Sequence, residues 1–342
     1  MNRIIFIITI LLVSKFSFAQ IPTGYYNTAA GLQGEPLRTA LYNIINGHSV
    51  KDYSTLWGYF QTTDNNGGMV WDMYTDNPSG TTTYTYNFGS GQCGNYSGEG
   101  DCFNREHSFP KSWFNDASPM YSDLFHLYPT DGWVNGKRSN YPYGEVNSPT
   151  YTSSNGSKVG SNVFPGYSGI VFEPIDDYKG DFARTYFYMV TRYMNVSSTW
   201  TSDMLTGDNL SGWAKTMLIS WDALDPVSQK EIDRNNAVHD VQGNRNPYID
   251  HPHWIDWVFG PTASVSELEN PQLSMFSSEG TLHVNSVSAK EVSLTIVNMV
   301  GATVKDVIIQ PGDNLIELDV ANGMYIASST VEGRMYTLKF VK

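Results

Sequence analysis

The chain is predicted to fold as an α+β domain followed by a small all-β sandwich, and three observations lead there. Between Glu35 and Phe259, apolar residues recur at helical spacing in several blocks, separated by aromatic stretches with strand-like alternation. Past Phe259 the helical spacing stops, and short alternating runs take over, bounded by Gly, Pro or Asn. A length of 342 residues exceeds one ordinary compact domain, so two unequal units are expected.

In order along the chain, residues 1–19 stand apart. Arg3 gives a short positive start, Ile4 to Val13 is nearly all apolar, and Ser17-Phe18-Ala19 offers small residues at cleavage positions, which together read as a secretory signal peptide. The apolar run is too short for a comfortable membrane span, and no other stretch approaches that length. Cleavage before Gln20 removes Arg3 and Lys15 and takes the formal charge from −13 to −15. From Glu35 to Ile45, Leu37, Leu41, Ile44 and Ile45 fit one face of a helix with Pro36 in its first turn. Trp57, Trp71, Tyr74, Tyr84, Tyr86 and Phe88 punctuate a mixed, strand-like region broken by Asn-Gly and Pro-Ser-Gly turns. The clearest helix runs from Gly180 to Met194, with Phe182, Tyr186, Met189, Val190 and Tyr193 on one face. Another covers Pro226 to Val241, with Asp225 as its cap, and Trp254 to Phe259 closes the domain, which spans residues 20–259. Residues 260–271 form a polar linker. Residues 272–342 hold the alternating runs, among them Val292 to Val297, Val304 to Ile309 and Tyr336 to Val341.

Hydrophobic residues at 40% and aromatics at 14% supply a packed core and argue against wholesale disorder. The charge of −13 argues against a broad basic stripe of the kind that grips nucleic acid. A local cationic groove with a bound metal ion overrides a distant acidic surface, so the acidity predicts weak non-specific binding and dependence on a cation. Export places Cys93 and Cys102 in an oxidising compartment, where a local disulfide is the favoured reading over two unpaired thiols. Closing so short a loop contributes about 2–3 kcal/mol and fixes the approach to the segment that follows.

That segment carries the chemistry. Asn104-Arg105-Glu106-His107 and, downstream, Trp133-Val134-Asn135-Gly136-Lys137-Arg138-Ser139-Asn140 bring a carboxylate, an imidazole, an amide and cations into two short stretches. A carboxylate and an amide oxygen suit a hard divalent ion such as magnesium. A neutral imidazole can take a proton from water near pH 7, and lysine and arginine donate to phosphate oxygens. These are the parts needed to hydrolyse a phosphodiester with one metal ion.

Asn104 to Pro110, Asp123-Leu124-Phe125-His126-Leu127-Tyr128-Pro129, Val134 to Asn140, Gly180 to Met189 and Gln242-Gly243-Asn244-Arg245-Asn246-Pro247 together resemble the secreted endonuclease I family, over roughly Tyr25 to Phe259. The resemblance implies a ββα-metal (His-Me finger) nuclease core with surrounding helices. It also implies His107 as the general base, with Glu106 and Asn135 as ligands of one magnesium ion (calcium or manganese being alternatives). Cleavage of DNA, and of RNA as a further substrate, would be largely sequence-nonspecific and leave 5′-phosphate and 3′-hydroxyl ends. The tail from about Pro271, with Gly323-Met324-Tyr325 and Lys339-Phe340-Val341-Lys342, is similar to C-terminal sorting domains of the type IX secretion system, which implies passage through the periplasm to the cell surface or medium.

Adjacent residues on a regular strand point to opposite faces, so Glu106 and His107 share one site only if the strand twists or ends there. Ser112 to Ser122 contains no arginine to steady a scissile phosphate, leaving Arg138, Lys137 and Arg105 as candidates by proximity. His126 reads as a buried, hydrogen-bonded histidine, His251 and His253 as flanking a helix start, and Asp181, Arg184 and Glu173 as partners in structural ion pairs. Two rival functions fit parts of the pattern: a carbohydrate-binding or adhesion protein, and a phosphoesterase acting on non-nucleotide substrates.

Overall fold

The computed structural model describes residues 21–260, 273–278, 281–288, 290–331 and 334–342. The signal segment expected at 1–19 and the linker from 261 to 271 lie outside the described residues. The chain divides into two compact units, Met1–Thr262 and Ala263–Lys342.

The first unit is mixed α+β. Helix α1 (Gly34–Ile45) buries Leu37, Leu41 and Ile45, as its apolar spacing predicts. The strand-like region expected around Trp57 to Phe88 is different in the structure. Trp57 lies in a helix, α2 (Leu56–Thr63), followed only by a two-residue ladder of β1 (Asn65–Asn66) and β2 (Met69–Val70). The tyrosines beyond do not alternate across a sheet, because their hydroxyls converge on one carboxylate. Tyr84 and Tyr86 donate to Asp131 at 3.0 and 2.7 Å.

Strand β3 (Phe103–His107) pairs antiparallel with β4 (Leu127–Asp131), His107 opposite Leu127 and Phe103 opposite Asp131. The chain passes directly from β4 into α3 (Gly132–Arg138). Strands β5 (Val146–Thr152), β6 (Lys158–Asn162) and β7 (Ile170–Glu173) make a separate antiparallel sheet in that order. Helix α4 (Lys179–Arg192) is buried on every side rather than along the expected stripe. Its polar side chains are accommodated because each finds a partner: Tyr188 donates to Asp123 at 2.8 Å, and Arg184 reaches Glu231 and Asp222, each at 2.6 Å.

After a short hairpin of β8 (Leu205–Thr206) and β9 (Asn209–Leu210) come α5 (Gly212–Leu224) and α6 (Gln229–Gln242). Helix α6 starts three residues later than Pro226. Ser228 and Glu231 cap it reciprocally, which outcompetes a cap at Asp225. Asp225 instead closes α5, and its carboxylate accepts from the Gly180 backbone N–H at 2.9 Å. Helices α7 (Pro247–Asp250) and α8 (Trp254–Phe259) complete the unit.

The second unit is all β. It comprises β10 (Leu273–Ser278), β11 (Thr281–Ser286), β12 (Val292–Asn298), β13 (Thr303–Ile309), β14 (Gly312–Glu317), β15 (Met324–Val331) and β16 (Arg334–Val341). They form two antiparallel sheets, ordered β10-β11-β14 and β13-β12-β15-β16. Leu273, Leu282 and Ile316 from the first share one core with Leu294, Ile296, Ala327 and Phe340 from the second. Among the described residues, no helix is long and apolar enough to cross a membrane.

Candidate active site

The segment ahead of β3 is held in place covalently and by its backbone. Cys93 and Cys102 are joined, with Cα atoms 5.7 Å apart. The Phe103 N–H donates to Gly91 O at 2.8 Å, and the Cys93 N–H to Phe103 O at 3.1 Å. Strand β3 ends at His107, where the alternation of side chains need no longer hold. Arg105, Glu106 and His107 therefore line a single cleft of about 400 Å3, together with Asn135 and Arg138 of α3 and Tyr53, Lys111, Ser112 and Asn140. Helix α3 is seven residues long with two glycines, a weak helix by propensity. Asp131 fixes its start by accepting from the Val134 N–H at 2.8 Å. Asn135-Gly136, by default a turn, thus becomes helical.

Glu106 is 3% exposed. The Tyr74 hydroxyl donates to its Oε1 at 2.9 Å, and Arg138 Nε faces the same oxygen at 3.4 Å, an ion pair without hydrogen-bond geometry. Burial pushes the Glu106 carboxyl above its ordinary value, while the Arg138 charge and the Tyr74 hydroxyl oppose that shift. Oε2 accepts no side-chain hydrogen bond among the described residues, which leaves it for a ligand.

The His107 ring lies against Tyr53, centroids 5.6 Å apart and nearly parallel. Its Nε2 stands 3.0 Å from the backbone oxygen of Tyr121. A carbonyl can only accept, so Nε2 carries the proton and Nδ1 keeps its lone pair. Burial, and then the neighbouring His126, hold the ring well below the ordinary histidine value. The imidazole is neutral near pH 7 without help from a metal.

Asn135 donates through Nδ2 to Asn104 Oδ1 at 2.7 Å, which leaves its own Oδ1 as an acceptor. Of the three cations expected to meet phosphate, Arg105 and Arg138 line the cleft. The Arg105 guanidinium stacks 3.7 Å over the Tyr53 ring and 4.5 Å over that of Trp57, at the edge of the cleft. Arg138 is fully buried, donates to the backbone oxygens of His107, Ser108 and Ser139, and faces Glu106. Lys137 is exposed on the other side of α3, over the Trp133 ring at 4.5 Å, and does not line the cleft.

The sequence reading missed Tyr74, Tyr53, the Tyr121 carbonyl and Lys111. The first three lie far from the motif in the chain and carry no periodic signal. Lys111, paired with Asp116 at 2.6 Å, follows the motif directly and could have been found by proximity. His126 is buried, with Nε2 2.7 Å from Met120 O. His251 and His253 pack on Trp254. Asp181 pairs with Lys230 at 2.5 Å and Glu173 with Lys179 at 2.8 Å. Among the described residues no group of three or more His, Cys, Asp or Glu side chains gathers to hold an ion. Any cation here would therefore rest on few protein ligands.

A neutral base set beside oxygen donors, under a cation-flanked rim, is suited to hydrolysing phosphate esters, and the chain is a nuclease. Residues 33–253 match the Endonuclease I family, and the chain belongs to that family. It is 32% identical over 245 residues to an extracellular ribonuclease of Bacillus subtilis (strain 168), covering 69% of this chain and 78% of the relative. An extracellular ribonuclease of Bacillus amyloliquefaciens is 33% identical over 242 residues, with the same shares. An endonuclease-1 of Buchnera aphidicola subsp. Acyrthosiphon pisum is 32% identical over 129 residues, 37% of this chain and 44% of the relative. Nucleases of this family are generally dependent on a divalent metal.

Proposed function

We propose that the mature chain is a secreted endonuclease that cuts phosphodiester bonds of DNA and RNA with little sequence preference, leaving 5′-phosphate and 3′-hydroxyl ends. The observation that carries this reading is the His107 ring, fixed through Nε2 with Nδ1 bare, in one cleft with Glu106 and Asn135. In this reading Nδ1 takes a proton from water, the hydroxide attacks phosphorus, and the bond from phosphorus to the 3′ oxygen breaks. The 3′ oxygen is protonated from solvent. RNA stands beside DNA as a substrate because two relatives, matched over 245 and 242 residues, are named ribonucleases.

Glu106 through Oε2 and Asn135 through Oδ1 would hold one divalent ion. Two hard oxygen donors fit magnesium, which keeps several waters and accepts few protein ligands. When bound, the ion supplies Lewis-acid polarisation of the phosphoryl oxygen and stabilises charge on the leaving oxygen. Hairpin β3–β4 with α3 is read as the ββα-metal core. Arg105, preorganised between two aromatic rings, steadies the scissile phosphate with Lys111, and Arg138 positions Glu106. Residues 1–19 are read as the export signal, and the C-terminal unit as a sorting address recognised by type IX secretion machinery.

Supercoiled plasmid and a folded RNA, incubated with the mature protein and magnesium, test the reading. Nicking and linearisation that stop on chelation and are absent in His107→Ala are expected. Cutting that persists in chelator would remove the metal, and an inert wild-type protein that binds glycans would favour the adhesion reading instead.

A further inference from the structure

Helix α3 carries Asn135 into the catalytic cleft, yet it is a poor helix on its own: seven residues, two of them glycine. The structure shows what those glycines admit. A β-carbon at Gly132 would stand 2.7 Å from the Tyr96 ring, and one at Gly136 would stand 2.6 Å from the Tyr96 hydroxyl oxygen. Residues four apart share one face of a helix, so the Tyr96 ring lies lengthwise across a full turn of α3, against bare backbone. Trp133 meets the ring edge-on, centroids 6.4 Å apart.

Tyr96 belongs to the loop that the Cys93–Cys102 disulfide closes. That loop is braced on itself, since Asp101 accepts from the Ser97 and Gly98 N–H groups at 2.7 and 3.0 Å. It reaches α3 at two further points. The Gly100 N–H donates at 2.8 Å to Asp131, the residue that caps the helix, and the Gly132 N–H donates to Cys102 O at 2.9 Å. The helix is thus seated on a loop that is itself fixed covalently. From the strand side, Asn104 of β3 accepts from Asn135 Nδ2 at 2.7 Å. Neither Tyr96 nor Asn104 lines the catalytic cleft.

We propose that Tyr96 and Asn104 are positioning residues for Asn135: the ring holds α3 in its place beside β3, and the Asn104 amide sets which atom of Asn135 faces the cation. The inference rests on the metal reading above and names what makes its neutral ligand effective. Magnesium demands near-ideal octahedral geometry, so a site with only two protein ligands loses its hold if either one swings. An amide serves as a ligand through its oxygen alone. Turned over, it presents an NH2 group, which a cation repels. Asn104 Oδ1 can only accept, so it takes that NH2 group and leaves the Asn135 oxygen for the ion.

The test is the affinity of the substrate-free mature chain for Mn2+, followed by electron paramagnetic resonance, beside the magnesium concentration for half-maximal plasmid cleavage. Glu106→Gln supplies the blank for ions bound elsewhere on the acidic surface. Tyr96→Ala and Asn104→Leu are each expected to lower the affinity, and raise the magnesium requirement, by about 10- to 100-fold, the range for partners that orient a metal ligand. The rate at saturating magnesium should be kept, since His107 is untouched. Asn104→Asp is close to Asn104→Leu in size but still accepts from Nδ2, so it should hold the ion at least as well as the wild type. Gly136→Ala pushes the ring away and should weaken binding as Tyr96→Ala does. In Tyr96→Ala/Gly136→Ala that effect should vanish, because the contact is already gone, and this non-additivity reads the contact even where Tyr96→Ala lowers stability. Unchanged Mn2+ affinity in folded Tyr96→Ala and Asn104→Leu, equal losses in Asn104→Leu and Asn104→Asp, or a Gly136→Ala effect that persists without the ring overturns the proposal and leaves the nuclease reading standing. A wild-type chain that binds Mn2+ no better than Glu106→Gln overturns the metal reading beneath it.

Discussion

The two units of this protein solve the folding problem with different materials. The first buries charge throughout: Arg38, Arg138, Arg184, Arg234 and Arg245, with Asp64, Asp72, Asp123, Glu106 and Glu231. Among its described residues, the C-terminal unit buries no charged side chain, and its only buried polar groups are Ser286, Ser288 and Ser329. Taking an ion out of water costs several kcal/mol unless it is paired and hydrogen-bonded, so apolar packing is the cheaper way to make a core. The β unit takes that route. The α+β unit does not, and its buried ions bind parts that have to be held at a fixed distance. Arg184 ties α4 to Glu231 of α6 and Asp222 of α5. Arg234 reaches Asp64 and the backbone oxygens of Leu124 and Leu127, clamping the approach to β4. Arg138 sits between the ends of β3 and α3, under Glu106. The charge is concentrated where geometry serves chemistry.

The contrast should be widest at the histidines. His107→Ala is expected to lower the rate of plasmid cleavage by about 10²–10⁴-fold with an unchanged circular dichroism spectrum, because it removes the proposed general base. His283→Ala, in the C-terminal unit where the ring stacks on Phe276, should leave the rate alone. More than a tenth of the activity retained by a folded His107→Ala would take this residue out of the mechanism.

Next comes the buried pair. Arg138→Met leaves Glu106 without its counter-ion at 3% exposure and should destabilise the first unit by about 3–5 kcal/mol in urea denaturation. Adding Glu106→Gln should recover part of that loss, since the uncompensated charge is then gone. In the apolar core of the other unit, Ile296→Val should cost only about 0.5–1.5 kcal/mol. Equal, small losses for Arg138→Met and Ile296→Val would erase the distinction between the two cores.

A smaller effect is expected at Gly180, and its sign is informative. Alanine is ordinarily favoured over glycine by up to about 1 kcal/mol in a helix, less in the first turn, where Gly180 stands. Here a Cβ would meet the Asp225 carbonyl and the Arg184 guanidinium, so Gly180→Ala should instead destabilise by about 1–3 kcal/mol. A rise in melting temperature would show that α4 and the end of α5 are not tightly docked.

These residues also mark how far the sequence could be read. That Arg105, Glu106 and His107 belong together was legible because they are consecutive, and they line one cleft. Helix α1 was legible from its apolar period, and the β unit from its alternation, since a two-sheet core asks for nothing more. The burial of Arg138 was not legible, because a charged residue next to a site looks like a ligand arm, and only the packing of α3 against β3 shows that it faces inward. Tyr74 was invisible as a partner of Glu106 because it comes from an irregular segment 32 residues upstream, where no period marks it. The start of α6 was misplaced because Asp225-Pro226 and Ser228–Glu231 both resemble helix starts, and the reciprocal cap won. What escaped is mostly the buried polar network, which is written in long-range pairings.

The smallest expected effect is the sharpest test of the division between units. Every side chain in the proposed catalytic set lies between Tyr53 and Asn140. The core of the first unit ends at Phe259, that of the second begins at Leu273, and they share no residue. A chain ending at Gly260 should therefore cut plasmid with the same kcat as the full mature protein. If the β unit is a sorting address, the same truncation should leave the protein in the periplasm of its host, because a receptor-read signal acts only when present. Kinetics on the purified short form and fractionation of cells expressing it read these two outcomes separately. A large fall in kcat with the fold intact would mean that the apolar unit contributes to substrate binding, and the contrast between a chemical unit and an inert one would fail. Normal export of the short form would remove the sorting role and return the β unit to the adhesion reading.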